Sequence, residues 1–327
     1  MSASRPVDPH GPVADAGEFG LIDAIIRRLP TSAEVSVGPG DDAAVLAVQS
    51  GHVVVSTDML VENVHFRRAW SSATDVGHKA AAQTLADIAA MGARPTALLV
   101  ALSVPPDLPS AWALELADGI AAECEPLGVA VVGGDVTSGA HIAITGTALG
   151  ELDATAPVLR AGARPGDVVA VCGRLGWSAA GFAVLSRGFR SPRVVVAAQQ
   201  RPTPPYDAGP EAAQVGATAL IDVSDGLEQD LGHIARASGV VIDLDPAALE
   251  IAPPLRDVGA ALGVDPLEFV LTGGEDHALA GCFPAGVDLP ARWTVIGDVV
   301  ALADGSEPGV TVAGVARVGR GGWDHFA

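Results

Sequence analysis

Lysine is almost absent from this chain: among 327 residues there is one, Lys79. Acids outnumber bases 39 to 19, for a formal charge of −20 at pH 7. A chain so short of positive charge has no basic face with which to bind nucleic acid or an anionic membrane non-specifically. Nor can lysines supply most of the counter-charge for a phosphorylated compound. If phosphate is handled, divalent cations held by carboxylates are the natural substitute. Most of the acids can equally be surface charge that keeps the protein in solution. Cysteine is scarce too. Cys124, Cys172 and Cys282 are odd in number and far apart, which fits neither a zinc spacing nor a disulfide framework and points to buried thiols in a reducing, cytoplasmic setting. No apolar run approaches the roughly 20 residues of a membrane span. Residues 1–17 lack the charged-then-apolar pattern of a secretion signal and read as a loose arm. Two nucleotide signatures are also missing. G-x-x-x-x-G-K-[ST] occurs nowhere and G-x-G-x-x-G follows no strand, so neither a P-loop nor a dinucleotide fingerprint is present.

What is present is an apolar-rich α/β pattern of a length that suits two domains. A shift to Arg, Pro and Gly near residues 157–167 sets the expected division at 18–150 and 151–327. In the first part, the turn Gly38-Pro39-Gly40-Asp41-Asp42 leads into an apolar run, 43–48, that reads as a strand. A β-branched strand, 52–56, ends in Ser56-Thr57-Asp58. Thr74 is the expected N-cap of a helix reaching Met91, on which Lys79, Gln83 and Asp87 form one polar stripe. Asp87 sits among small apolar residues and faces either solvent or a ligand. A strand at 96–104, a helix at 110–127 and a short strand at 130–132 follow, the last ending in Gly133-Gly134-Asp135; 142–149 is a further strand.

In the second part, strands are expected at 168–172, 219–223, 240–244, 278–283 and 293–300, and helices at 227–238, 253–262 and 266–271. The glycine-rich turn 173–181 opens another helix, in a form that lets backbone N–H groups point at an anion. Residues 202–210 are a proline-rich loop. The tail, 321–326, is aromatic in a chain with 4% aromatics.

Asp42, Asp58, Asp135, Asp222 and Asp225 all fall, on this reading, where an apolar strand meets a turn or helix, the edge at which ligands gather in open α/β sheets. Two readings stand. The acids cap separate helices and never meet, or they converge in one pocket. Converging carboxylates repel by roughly 4 kcal/mol per pair at 4 Å and an effective dielectric of 20, so a cluster needs cations. Carboxylates with hydroxyl neighbours (Ser56, Thr57, Ser224) suit magnesium.

Taken in order, Gly40-Asp41-Asp42-Ala43-Ala44, Ser56-Thr57-Asp58 with His65-Phe66, residues 85–93, Gly133-Gly134-Asp135, Asp222-Val223-Ser224-Asp225-Gly226-Leu227, Gly273-Gly274-Glu275-Asp276 and Trp323-Asp324-His325-Phe326 resemble the thiamine-monophosphate kinase family from about Gly17 onward. The wider superfamily includes aminoimidazole ribonucleotide synthetase, selenophosphate synthetase and a hydrogenase maturation protein. The resemblance implies a two-domain α/β (α+β) fold of the aminoimidazole ribonucleotide synthetase type, with an N-terminal mixed sheet that pairs in a homodimer and a C-terminal α/β domain. It implies ATP-dependent phosphorylation of thiamine monophosphate, with several Mg2+ ions and no general base. Metal ligands carried over are Asp42, Ser56, Thr57, Asp58, Asp87, Asp135, Asp222 and Asp225. ATP contacts are Gly134, Asp135, Arg160 and Ser224, and substrate contacts are His65, Glu275 and Trp323. Two positions depart from the family pattern: His277 stands where Tyr is common, and Pro205 where an Arg is often found. The alternatives are another ATP-dependent enzyme of the superfamily and a noncatalytic nucleotide-binding protein. A selenide enzyme would be expected to carry a reactive cysteine near its start, and no Cys precedes Cys124.

Overall fold

β-branched residues alternating with small ones favour extended backbone, and in the first part of the chain the ladders they start run through polar residues as well. The computed structural model describes residues 7–39, 43–153, 156–317 and 322. Two compact units are present, Met1–Ile88 with Pro95–Glu151, and Ala89–Arg94 with Leu152–Ala327. The first part of the chain contains α1 (Val13–Ala16), α2 (Glu18–Ile26), β1 (Val35–Val37), β2 (Val45–Leu46), β3 (Val54–Val61), α3 (Ala73–Ala90), β4 (Arg94–Val104), α4 (Ser110–Cys124), β5 (Ala130–Ser138) and β6 (Ala143–Glu151). Its main sheet has the order β3-β6-β4-β5, so β3 and β5 are the two edges. β3 and β6 run antiparallel, pairing Asp58 with Gly146, while β4 and β5 run parallel, pairing Ala101 with Asp135. At Gly146 α3 comes close: a Cβ there would lie 2.5 Å from Thr84 Oγ1.

Several expectations are corrected here. Ser56-Thr57-Asp58 and Gly134-Asp135 do not end strands; they lie inside β3 and β5. The reason is that ladder pairing is a backbone matter, and it continues from Val54↔Gly150 to Val61↔Ala143 whatever the side chains. The run 43–48 yields only Val45–Leu46 as strand. Ser72, not Thr74, caps α3. Asp75 Oδ2 accepts from Ser72 N (2.9 Å) and Ser72 Oγ (2.7 Å), and Asp75 N donates back to Ser72 Oγ (3.2 Å), a reciprocal capping arrangement. Lys79 is not part of an exposed polar stripe: it is buried, with Nζ 3.3 Å from the His65 carbonyl to which it donates.

The second unit is built on a seven-stranded sheet. Its elements are β7 (Val168–Cys172), α5 (Trp177–Ser186), α6 (Arg193–Gln200), α7 (Ala208–Gln214), β8 (Ala219–Val223), α8 (Leu227–Ser238), β9 (Val240–Leu244), α9 (Pro253–Leu262), α10 (Pro266–Thr272), β10 (Ala278–Phe283), β11 (Thr294–Ala301), β12 (Gly309–Val312) and β13 (Val315–Ala316). Strand order is β13-β12-β9-β11-β7-β10-β8, with β12 parallel to β9 and the other pairs antiparallel. β8 and β10 are buried along their whole length, which is why they read as continuous apolar runs. β7, β8, β9, α8, α9 and β10 begin and end where the sequence places them. The pair β12–β13 and the helix α6 had no counterpart in the sequence reading, and α7 starts inside the expected proline-rich loop. All three cysteines are free and buried. No helix among the described residues is long and apolar enough to cross a membrane.

Candidate functional site

Side chains on a strand alternate between faces, so Ser56 and Asp58 share one face of β3 and Thr57 points to the other. The Ser56–Asp58 face continues into Leu60, which is buried, while Val55, Thr57 and Met59 are exposed. On the first face Ser56 Oγ donates to Asp87 Oδ2 of α3 at 2.5 Å. Helix α3, set close over Gly146, therefore brings Asp87 onto the strand that carries Ser56 and Asp58. Asp87 is half-buried and turned toward that face. The Thr57 hydroxyl, by contrast, donates to the Gly146 carbonyl (2.9 Å) and meets Thr147 Oγ1 (3.1 Å) on the opposite side. It is not brought together with Ser56 and Asp58.

Asp135 lies at the far edge of the same sheet. Three strand spacings separate β3 from β5, on the order of 14 Å, so Asp58 and Asp135 of one chain do not meet. Gly134 and Asp135 instead border a cavity of about 750 Å³, also lined by Ile22 and Ile26 of α2 and by Leu99 and Ala101 of β4. A Cβ on Gly134 would lie within 2 Å of the Val100 carbonyl oxygen, so only glycine fits there. His65 sits in the turn after β3, its Nδ1 accepting from Val61 N at 2.9 Å.

In the second unit Asp222 stands on the edge strand β8 and is buried. The chain then turns through Ser224-Asp225-Gly226 into α8, with Gly226 at φ 131°, a backbone state open to glycine. Asp230, one turn into α8, accepts from both Asp225 N and Gly226 N at 3.0 Å and so fastens the turn. Burial, and then the charge of Asp222, push the Asp230 carboxyl up to about 7. Asp225 Oδ2 accepts from Gln229 Nε2 at 3.2 Å. The loop 273–277 is strapped to this turn: Glu275 N donates to the Ser224 carbonyl (2.7 Å) and His277 N to the Val223 carbonyl (3.0 Å). Asp276 points the other way and caps α5, accepting from Ser178 N at 2.9 Å. Its burial pushes it up to about 7.

One arrangement has no counterpart among the motifs read from the sequence. His277 Nδ1 lies 3.0 Å from Asp222 Oδ2, both side chains buried. No local pattern announces a pairing of residues 55 positions apart. Arg160 is exposed, its carbonyl accepting from Ser238 Oγ. Asp42 and Trp323 lie outside the described residues. Gly322 is described, and a Cβ there would come within 2.7 Å of the Asp225 carbonyl oxygen. Arg317 ties the approach to the tail, with Nε 2.9 Å from Glu228 Oε1 and Nη2 2.6 Å from Glu268 Oε2.

Among the described residues no group of three or more His, Cys, Asp or Glu is arranged to hold a metal. The donors nonetheless have the chemistry of a hard cation: carboxylates and a hydroxyl, with no thiol or imidazole among the proposed ligands. In the second unit Asp230, beside Asp222 and Asp225, is raised first by its burial and then by the charge of Asp222.

A family model described as AIR synthase related protein, N-terminal domain, matches residues 40–152, and the corresponding C-terminal domain matches 164–306. The thiamine-monophosphate kinase of Mycobacterium tuberculosis is 49% identical over 311 residues, 95% of this chain and 92% of that protein. The chain belongs to the thiamine-monophosphate kinase family. Among solved structures, the thiamine-monophosphate kinase of Stenotrophomonas maltophilia K279a is 33% identical with a TM-score of 0.78, covering 91% of this chain and 96% of that one. AaThiL complexed with AMPPCP and TMP is 34% identical with a TM-score of 0.79, covering 95% and 98%. The family fold is thus the two-unit α/β architecture described above.

Proposed function

We propose that this kinase transfers the γ-phosphoryl group of ATP to thiamine monophosphate, giving thiamine diphosphate. The observation that carries this reading is the 49% identity to a thiamine-monophosphate kinase along 95% of the chain. The acceptor is a phosphate monoester, already largely ionised near neutral pH. It needs no general base, so the buried His277–Asp222 pair is not called on to remove a proton. Catalysis is then the in-line alignment of two anions and the neutralisation of their charge.

Asp42, Ser56, Asp58, Asp87 and Asp135 in the first unit, and Asp222 and Asp225 in the second, would hold several Mg2+ ions. Thr57, its hydroxyl turned away, belongs to that set only through its main chain. Bound Mg2+ supplies the positive charge on phosphate oxygens that lysine supplies elsewhere. The one lysine, buried under the His65 loop, is not available for that task. Gly134 and Asp135 border a cavity whose volume suits a small-molecule ligand, and Gly134, Asp135, Arg160 and Ser224 are the proposed contacts of ATP. His65, Glu275 and Trp323 meet thiamine monophosphate. Glu275 holds φ 65°, a strained state that non-glycine residues keep mostly at functional positions.

The working form is a homodimer joined through the N-terminal sheets. Support comes from edge strand β3, where Val55 and Met59 are 57% and 52% exposed and Val53, just before it, is 48% exposed, more apolar surface than an edge left to water favours. Sheets joined with β3 of one copy beside β5 of the other would set Asp58 of one near Asp135 of the other. The buried thiols fit a cytoplasmic setting, where they remain reduced. The test is ATP turnover with and without thiamine monophosphate. Formation of thiamine diphosphate only with both present supports the reading. Acceptor-independent turnover, or tight ATP binding with none, overturns it in favour of another superfamily activity or a nucleotide-binding role.

A further inference from the structure

The turn that carries Asp222, Ser224 and Asp225 is not shaped by its own sequence alone. The pairing of β8 with β10, ending at Ala278↔Val223, is extended by the backbone bonds from His277 N and Glu275 N to Val223 and Ser224. To make them the chain adopts positive φ at both Glu275 (65°) and His277 (52°). The result aims the His277 imidazole at Asp222 and away from water, His277 being 5% exposed and Asp222 3%. An ionised carboxylate can only accept a hydrogen bond, so Nδ1 of His277 is the donor across the 3.0 Å contact with Oδ2.

We propose that His277 is a positioning residue for Asp222: its Nδ1–H fixes Oδ2 and leaves Oδ1 oriented to bind a magnesium ion. This rests on the reading of Asp222 as a magnesium ligand. A carboxylate on a rigid, buried strand still rotates about its own side-chain bonds, and a buried acceptor without a donor is costly. A fixed donor removes both problems. Hydrogen-bonded partners of metal ligands typically govern affinity by about 10- to 100-fold.

The experiment titrates the full-length protein with Mn2+ alone, as a spectroscopic stand-in for Mg2+, and counts free Mn2+ by electron paramagnetic resonance. Asp222→Asn is the reference arm. His277→Asn keeps an N–H donor at the distance of Nδ1 from the backbone and tolerates positive φ. His277→Gln carries its donor one methylene further, and His277→Leu removes it. The expected result is that Asp222→Asn loses a binding step and that His277→Gln and His277→Leu weaken the same step about 10- to 100-fold. His277→Asn stays within about threefold of the parent. If the leucine variant does not fold, the Asn and Gln pair decides the matter. Parent-like binding in His277→Gln while Asp222→Asn is impaired overturns the inference and leaves the assignment of Asp222 standing. Equal losses in His277→Asn and His277→Gln also overturn it. Parent-like binding in Asp222→Asn removes the assignment of Asp222 itself.

Discussion

In the first unit Asp58 and Asp87 are half-buried on the surfaces of a strand and a helix, with a serine hydroxyl bonded to Asp87. In the second, Asp222, Asp230 and Asp276 are all buried, and two of the three are pushed up to about 7. A half-exposed carboxylate keeps much of its hydration and costs the fold little. A buried one must find donors, and here they are backbone N–H groups of Asp225, Gly226 and Ser178 and the ring of His277. The first unit therefore offers ligands whose geometry a cation can still adjust. The second offers a turn whose geometry is set before any cation arrives, at some cost in stability. The same residue type serves flexible capture in one place and preorganisation in the other.

The strongest way to break that contrast is Asp58→Ala. Loss of a first-unit ligand is expected to lower kcat/KM by at least about 10³-fold; turnover close to the parent would remove the metal assignment of β3. Next, Val55→Lys on the exposed face of β3 is expected to halve the mass seen by light scattering, and an unchanged mass would refute the sheet-to-sheet dimer. Ser56→Ala removes the bond to Asp87, worth about 1.5–3 kcal/mol for a hydrogen bond to a charged group. The Mg2+ concentration for half-maximal rate is expected to rise about tenfold, with kcat changed less.

Asp276→Asn probes the second unit through pH. The folded-state pKa, about 7, lies above the unfolded value. The stability that Asp276 contributes is thus present in full below about pH 4 and is lost as pH rises through about 7. The urea midpoint of the variant relative to the parent is expected to increase between pH 5 and pH 8, and an equal difference at both values would refute the buried, raised carboxyl. The smallest effect is expected to be the same in both units. Burial raises Cys172 to about 11 and Cys282 to about 12, and raises Cys124 as well, so a disulfide reagent at pH 8 should find no thiol in the folded protein and three in urea.

The parts legible in the sequence are those whose signal is local. β8 is a fully buried run bounded by a turn, and α8 is an amphipathic stretch closed by Gly239 in a left-handed conformation. β3 and β5 run on through polar residues, to Val61 and Ser138, because ladder partners rather than polarity decide where a strand ends. Ser72-Ala73-Thr74-Asp75 did carry the spacing of a capping box, a signal that points to Ser72 over Thr74. In the site, the order of the acid-bearing motifs was readable, but their pairing was not. Ser56 with Asp87 and Asp222 with His277 join residues 31 and 55 positions apart, across elements whose approach depends on tertiary packing. That Thr57 faces away from its two neighbours follows from strand alternation once β3 is known to continue through it.

Lys79 carries a practical consequence. It is the one lysine of the sequence and is 2% exposed, so the folded surface offers acylating reagents no lysine amine. Amine-directed cross-linkers and dyes that decorate most proteins would pass over the side chains of this one. Modification of Lys79 would then act as a clock for the opening of the His65 turn, reporting how often the helix beneath it comes into view.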